Sequence, residues 1–276
     1  MSGASTGQDR LSTLAAMIGE LEATSVYGRV TAVRGLLVEV SGPISAMSLG
    51  GRVGIEIAPG VRVPCEVIGF SGEKALVMPY GGLDGVRRGC PAYVDRAVAG
   101  LRPTMAWLGR VVDALGRPVD GGPPLPQGEH TIPFRNDPPP AHARRRVGPP
   151  LDLGVRALNT FLTCCIGQRM GIFAGSGVGK SVLLSMLARY AQADVNIIGL
   201  VGERGREVQE FLQEDLGPQG LARSIVVVAT SDEPALMRKQ AALTTLTLAE
   251  YFRDRGLQVM CLMDSVTRFA MAMREI

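Results

Sequence analysis

The sequence predicts an α/β chain, a small N-terminal β-barrel followed by a domain built on a parallel sheet. Two observations carry this. Between Val26 and about Val98, short β-rich runs alternate with glycine turns, the pattern of closely spaced antiparallel strands. After Leu151, apolar runs of strand length alternate with amphipathic helical stretches, the pattern of buried parallel strands joined by crossover helices. The resulting division is a tail and helix over 1–25, the barrel over 26–98, a connector over 99–150 and the sheet domain over 151–276.

At 276 residues the chain can hold one large and one small core. A net charge of +3 is too small to argue for nucleic acid by itself. The five cysteines (Cys65, Cys90, Cys164, Cys165 and Cys261) are odd in number and contain no CxxC pair. They read as reduced structural thiols of a cytoplasmic protein rather than as disulfides or a zinc site. His130 and His142 fall in loop-like sequence and are not assigned as ligands. No apolar run approaches the roughly 20 residues that span a bilayer, and no signal-type core opens the chain, so a soluble protein is expected.

In chain order, Leu11, Leu14, Ala15, Ile18 and Leu21 recur at helical spacing. This short helix packs on its own domain or binds a partner, and the sequence leaves both open. Arg29–Val33 and Leu36–Val40 form a hairpin across Arg34-Gly35; Val53–Ile57, Val61–Phe70 and Ala75–Pro79 continue the series into a small closed barrel. A nucleic-acid-binding barrel needs aromatic platforms with interleaved basic residues. Only Tyr27, Phe70, Tyr80 and Tyr93 are on offer, among scattered Glu39, Glu56, Glu66 and Glu73, so a scaffold is favoured and no specific nucleic acid is expected. Pro138–Pro140 is an extended connector. The Arg144–Arg146 trio after it reads as solvated surface, with an acidic-lipid or polyanion contact as the other reading.

Beyond Leu151, strands are expected at Arg169–Ala174, Val195–Val201, Ile225–Ala229 and Val259–Met263, the last ending at Asp264. The helices between them cover Lys180–Ala191, with Val182, Leu183, Met186 and Leu187 inward, then Glu207–Leu216, then about Glu233–Arg255 with Asp232 as its cap and Pro234 in its first turn.

Three strand ends carry chemistry. Residues 174–181 (Ala-Gly-Ser-Gly-Val-Gly-Lys-Ser) follow the phosphate-loop pattern, with alanine at its first position. The backbone of Gly175, Ser176, Gly177, Val178, Gly179, Lys180, Ser181 and Val182 is expected to cradle ATP phosphates at a helix N-terminus. Lys180 then reaches the β- and γ-phosphates, and Ser181 gives its hydroxyl to Mg²⁺. After the next strand comes Gly202-Glu203-Arg204; ligands gather at the carboxyl ends of such strands, so Glu203 can polarise the attacking water and Arg204 can support developing charge. Asp264 closes a buried strand in the Walker-B position, beside the ion held by Ser181. Arg268, four residues on, faces either the same cleft or a neighbouring subunit.

With these motifs in place, the chain from Arg156 to Ile276 resembles the type III secretion ATPases, and among them the flagellar export ATPases. The resemblance is carried by Leu162–Cys164, Gly167–Ser181, Gly202–Phe211, Ala229–Arg238, Ala249–Gly256 and Met263–Ile276. It implies a RecA-like P-loop domain, related to rotary ATP synthase catalytic subunits, in a homohexameric ring beneath the inner-membrane export gate. It further implies a regulatory stalk protein at the N-terminal helix, substrate–chaperone complexes as clients and a peripheral membrane position. Lys180 and Ser181 carry over as phosphate and Mg²⁺ ligands, Glu203 as the catalytic carboxylate, Arg204 as its neighbour and Asp264 as the Walker-B acid. A virulence-type export ATPase, or a nucleotide-binding fragment with little turnover of its own, is the alternative. In the family, the region past the position of Ile276 supplies an arginine finger and the adenine pocket, so the sheet domain is expected to be truncated at its C-terminal side.

Overall fold

The computed structural model describes residues 25–95, 98–175 and 177–276. The expected helix over Leu11–Leu21 and Ser176 of the phosphate loop lie outside the described residues. The chain divides after residue 97 into two compact units.

The first unit is a closed barrel of β1 (Tyr27–Arg34), β2 (Leu37–Ser41), β3 (Arg52–Ala58), β4 (Val61–Ser71), β5 (Lys74–Pro79) and β6 (Pro91–Val94), in the order β1-β2-β5-β4-β3-β6. It closes where Tyr27 of β1 opposes Tyr93 of β6. Alternation puts Val30, Val38, Val40, Val53, Ile55, Val67 and Val77 inside. The glutamates that interrupt the strands are held by neighbours. Glu39 pairs with Arg34 at 3.0 Å and Lys74 at 2.8 Å, and Glu66 accepts the Tyr80 hydroxyl at 2.7 Å. Arg62 of β4 lies 3.9 Å over the Tyr93 ring, a cation–π contact that joins strands rather than offering an open stacking face.

The second unit opens with a short ladder of β7 (Gly100–Leu101) and β9 (Ile132–Pro133), with β8 (Val111–Asp113) between them in sequence. Its main sheet runs β12 (Val259–Asp264), β10 (Val195–Val201), β11 (Ser224–Ala229), β8, all parallel. The 99–150 stretch is therefore more than a connector, because it contributes a strand to the main sheet. Helices α1 (Arg156–Phe161), α2 (Lys180–Tyr190), α3 (Gly205–Glu210), α4 (Gly217–Ala222), α5 (Ala235–Asp254) and α6 (Val266–Glu275) complete the unit.

β10 is buried along its whole length, and its alternation decides which helix meets which face. Ile198 and Leu200 join Leu184, Leu187 and Ala188 of α2 in one cluster with Val208, Phe211 and Leu262. On the other face Gly199 meets α5, where a Cβ on Gly199 would lie 2.5 Å from Thr245 Oγ1. The missing side chain lets α5 approach the strand. Gly199→Ala is expected to cost about 1–3 kcal/mol through overpacking, read by urea denaturation. Adding Thr245→Ala should recover part of the loss, and a single variant as stable as the parent would refute the close-approach argument. Thr244, beside it on α5, donates to Ala114 O at 2.5 Å and ties the helix to the turn after β8.

Four local expectations change. Residues 169–174 form no strand; among the described residues they enter no ladder, Phe173 is 98% exposed, and only Ile172 packs on the core. An apolar run becomes a strand only against a paired edge, and β12 is hydrogen-bonded to β10 alone. The α2 core face is Leu184, Leu187 and Ala188, with Val182 turned out and half exposed. The expected Glu207 helix starts two residues earlier and passes into a π-helical turn over Phe211–Leu216 that buries both Phe211 and Leu216. Pro234, not Asp232, precedes α5; the Asp232 carboxylate instead bonds Thr230, which holds it below its usual range.

Candidate functional site

The phosphate loop turns on two glycines. Gly177 and Gly179 have φ of 77° and 88°, the left-handed region where an L side chain is strained. Gly179 precedes α2, no side chain caps that end, and no acidic residue lies in the first turn. The first-turn N–H groups therefore point into the loop with the positive end of an 11-residue helix behind them. That is a cradle for an anion. Val178, Ser181 and Val182 are exposed along it. Lys180, at the head of α2, spans the cleft and pairs with Asp264 at the end of β12.

The sheet brings the acids to the same place. β10 and β12 pair in parallel with Leu200 opposite Asp264, so both chains emerge at one edge. Gly202, at φ 76°, then turns the chain, and its N–H reaches Ala229 O at 2.6 Å. Ser231 N–H donates to Glu203 O at 2.9 Å, which fixes the loop after β10 to the loop after β11. The Glu203 side chain is 14% exposed and Asp264 is 5% exposed. Arg268, in the first turn of α6, approaches both Glu203 oxygens, Nε to Oε1 at 3.3 Å and Nη2 to Oε2 at 3.4 Å.

Burial pushes the Glu203 carboxyl up to about 7, helped by its hydrogen bond to Glu207 and the nearby Asp264 charge, and opposed by Arg268 and Lys180. Glu207 is held below its usual value by the same bond to Glu203 and by Arg204, whose Nη1 lies 2.8 Å from Glu207 Oε1.

Lys180, Asp264 and Glu203 lie at one cleft, Glu203 and Asp264 from strand ends and Lys180 from the head of α2, although the strand expected before Lys180 does not form. Arg268, left open between two placements, lies in that cleft too. Arg204 does not face the pair of Lys180 and Asp264; it is 62% exposed at the rim, on Glu207. Glu207 itself escaped the sequence reading. The available signal was its spacing, four residues after Glu203, where the chain begins a helix.

The donor set fits a nucleotide with its divalent ion. Among the described residues, no group of three or more His, Cys, Asp or Glu could hold a metal by itself. One carboxylate and one hydroxyl suit Mg²⁺, which keeps its waters and shares substrate phosphates.

Comparison with known proteins gives the family. Residues 154–276 match the ATP synthase alpha/beta family nucleotide-binding domain, and residues 30–93 match the beta-barrel domain of that family. A flagellum-specific ATP synthase from Caulobacter vibrioides is 56% identical over 264 residues, covering 96% of this chain and 60% of the relative. One from Bacillus subtilis is 47% identical, covering 91% of this chain and 57% of the relative. A type 3 secretion system ATPase from Xanthomonas euvesicatoria is 46% identical, covering 91% and 56%. Among solved structures, the ATPase EscN of enteropathogenic E. coli, in complex with its central stalk EscO, superposes with a TM-score of 0.82 at 40% identity, covering 90% of this chain and 60% of EscN. The chain spans about 60% of the length of these relatives. With both of its modules matched in order, barrel then nucleotide domain, the chain belongs to the ATP synthase alpha/beta family.

Proposed function

We propose that this chain is the barrel and nucleotide-binding part of an ATPase that energises type III protein export, in the flagellar system. The observation that carries the reading is the convergence of Lys180, Asp264 and Glu203 from three different elements on one strand-end cleft beside the phosphate loop. The backbone N–H groups of 175–182 and the Lys180 ammonium bind the phosphates. Ser181 and Asp264 would hold Mg²⁺, which when bound neutralises phosphate charge. Glu203, once ionised, orients and polarises the attacking water. Arg204 supports the pair from the rim through Glu207.

The flagellar relatives favour the flagellar system, while the likeness to EscN and to the Xanthomonas protein keeps the virulence system as the second reading. A homohexameric ring with a stalk protein is part of the same proposal, supported by the likeness to EscN with EscO. So are export-gate and substrate–chaperone partners, and a cytoplasmic position peripheral to the inner membrane. Among the described residues, no helix is long and apolar enough to cross a membrane.

The test is a strain whose only copy carries Glu203→Gln. Secretion of flagellar subunits into the medium should fall at least about tenfold, as loss of general-base catalysis requires. Unchanged flagellar secretion with loss of virulence effectors would move the assignment to the second reading. No change in either would overturn both.

A further inference from the structure

We propose that Arg223 and Asn196 are positioning residues for the phosphate loop, gripping the tail of α2 where the strands begin and so setting how far its head reaches over the cleft. This rests on the loop as the site of the nucleotide's phosphates. α2 is a rod of 11 residues, about 16 Å long. Its head meets Asp264 at the end of β12, and its tail meets Asn196 near the start of β10. A helix leaves its last carbonyls without internal partners, and here side chains take them up. Asn196 donates through Nδ2 to Ala188 O at 2.7 Å. Arg223, directly before β11, spreads its guanidinium over Arg189 O at 3.4 Å, Ala191 O at 3.2 Å and Ala193 O. Asn196 lies opposite Ser224 in the parallel register, so both grips come from the same level of the sheet. The loop at 152–154 closes the other side, where Gln192 N–H donates to Asp152 O at 2.8 Å and a Cβ on Gly154 would lie 2.2 Å from Tyr190 Cβ.

Two features separate this grip from ordinary packing. Asn196 is fully buried in a strand otherwise made of apolar residues and one glycine, where an amide costs desolvation that an apolar side chain would not. Its Oδ1 has no hydrogen-bond partner among the described residues, so the side chain is held there by what its nitrogen binds. The head of α2, by contrast, is loosely bounded. The run 169–174 joins no ladder among the described residues, and a Cβ on Gly175, Gly177 or Gly179 would meet nothing within 4 Å. Lys180 ties the head to Asp264, yet that ammonium is the group that must turn to the phosphates. The core contacts of α2, through Leu184, Leu187 and Ala188, are apolar and non-directional, whereas hydrogen bonds to fixed carbonyls resist sliding through their length and angle. The tail therefore sets the position of α2 along its axis, and with it the height of the loop N–H groups. Arg223 also places a cation at the negative end of the helix whose positive end faces the anion.

The experiment measures, on the intact protein, affinity for a fluorescent ATP analogue and its displacement by inorganic tripolyphosphate. The variants are Arg223→Gln, Arg223→Lys and Asn196→Ala, with Gly199→Ala as a control that disturbs the other face of β10. Arg223→Gln should weaken both ligands about tenfold, since a shift of under about 1 Å at the loop degrades every phosphate contact together. Asn196→Ala should act in the same direction. Arg223→Lys should recover part of the loss, because an ammonium serves fewer carbonyls than the guanidinium fork. Gly199→Ala, though less stable, should bind both ligands within about twofold of the parent. Parental affinity in Arg223→Gln overturns the proposal. So does an equal loss in Gly199→Ala, which would reduce the effect to lost stability, or a loss for the analogue that spares tripolyphosphate. Should Asn196→Ala fail to fold, the two Arg223 variants decide the matter, since that side chain is only half-buried. Lys180→Ala binding tripolyphosphate as the parent does would sink the underlying reading; a weakened Lys180→Ala beside a native Arg223→Gln sinks only this inference.

Discussion

Glu203→Gln in the intact protein is expected to lower kcat by about 10²–10⁴ while nucleotide affinity stays within a few-fold. The substitution is isosteric and removes only the charge that polarises water. The phosphate contacts come from Lys180 and the loop backbone, which it does not touch. The parent enzyme should report the same group through pH. Glu203 is raised to about 7, so below that pH most molecules carry the neutral acid, which cannot accept a hydrogen bond from water as a base does. Activity as kcat/KM should therefore climb from about pH 6 to 8, with its midpoint near 7, and the residual activity of the glutamine variant should be flat across that interval. Steady-state phosphate release over the range reads both. A parent profile without a limb near 7, or a glutamine variant at parental rate, excludes Glu203 as the base.

The second large effect is on Lys180→Ala, and it appears in stability as well as in binding. The Asp264 carboxylate is 5% exposed, and Lys180 is its ion partner. Deleting one member of a fully buried pair costs about 3–5 kcal/mol, because the other charge is left alone. Lys180 is 29% exposed, so solvent screens part of this, and a cost of about 2 kcal/mol is expected. That should lower Tm by about 4–8 °C. Lys180→Ala with Asp264→Asn should be more stable than Lys180→Ala alone, since no charge is stranded. Nucleotide affinity should fall about 10- to 100-fold through loss of a charged hydrogen bond to phosphate. Urea denaturation without nucleotide and titration with an ATP analogue separate the two effects. Lys180→Ala at parental stability would mean that the pair contributes nothing to the fold.

The barrel strands and the chemistry-bearing strand ends were legible in the sequence for one reason. Both are set by local pattern: alternation and glycine turns for β1–β5, and a glycine loop or an acid at the end of an apolar run for Lys180, Glu203 and Asp264; β6 was not placed. What was not legible depends on partners distant in sequence. β8 is three residues long and has no signature of its own; it is a strand because β11 offers it an edge. The run at 169–174 has the signature and lacks the edge. Val182 looked inward on periodicity, yet the core it would have joined is filled from α2 by Leu184 and Leu187. Arg268 needed the third dimension, because nothing in its spacing says that it approaches both Glu203 oxygens. Glu207 was hidden differently, since it bears on Glu203 through a contact between two carboxyl groups.

The placement of β8 bears on how the protein can be cut. A nucleotide-domain fragment started at Leu151, where the strand–helix alternation begins, would strip β11 of the strand beside it and α5 of its Thr244 anchor on Ala114. That fragment would present an open, largely apolar strand edge, which invites pairing with another copy. The separable unit begins ahead of Gly100, so the stretch between barrel and phosphate loop belongs in any expression boundary drawn around the site.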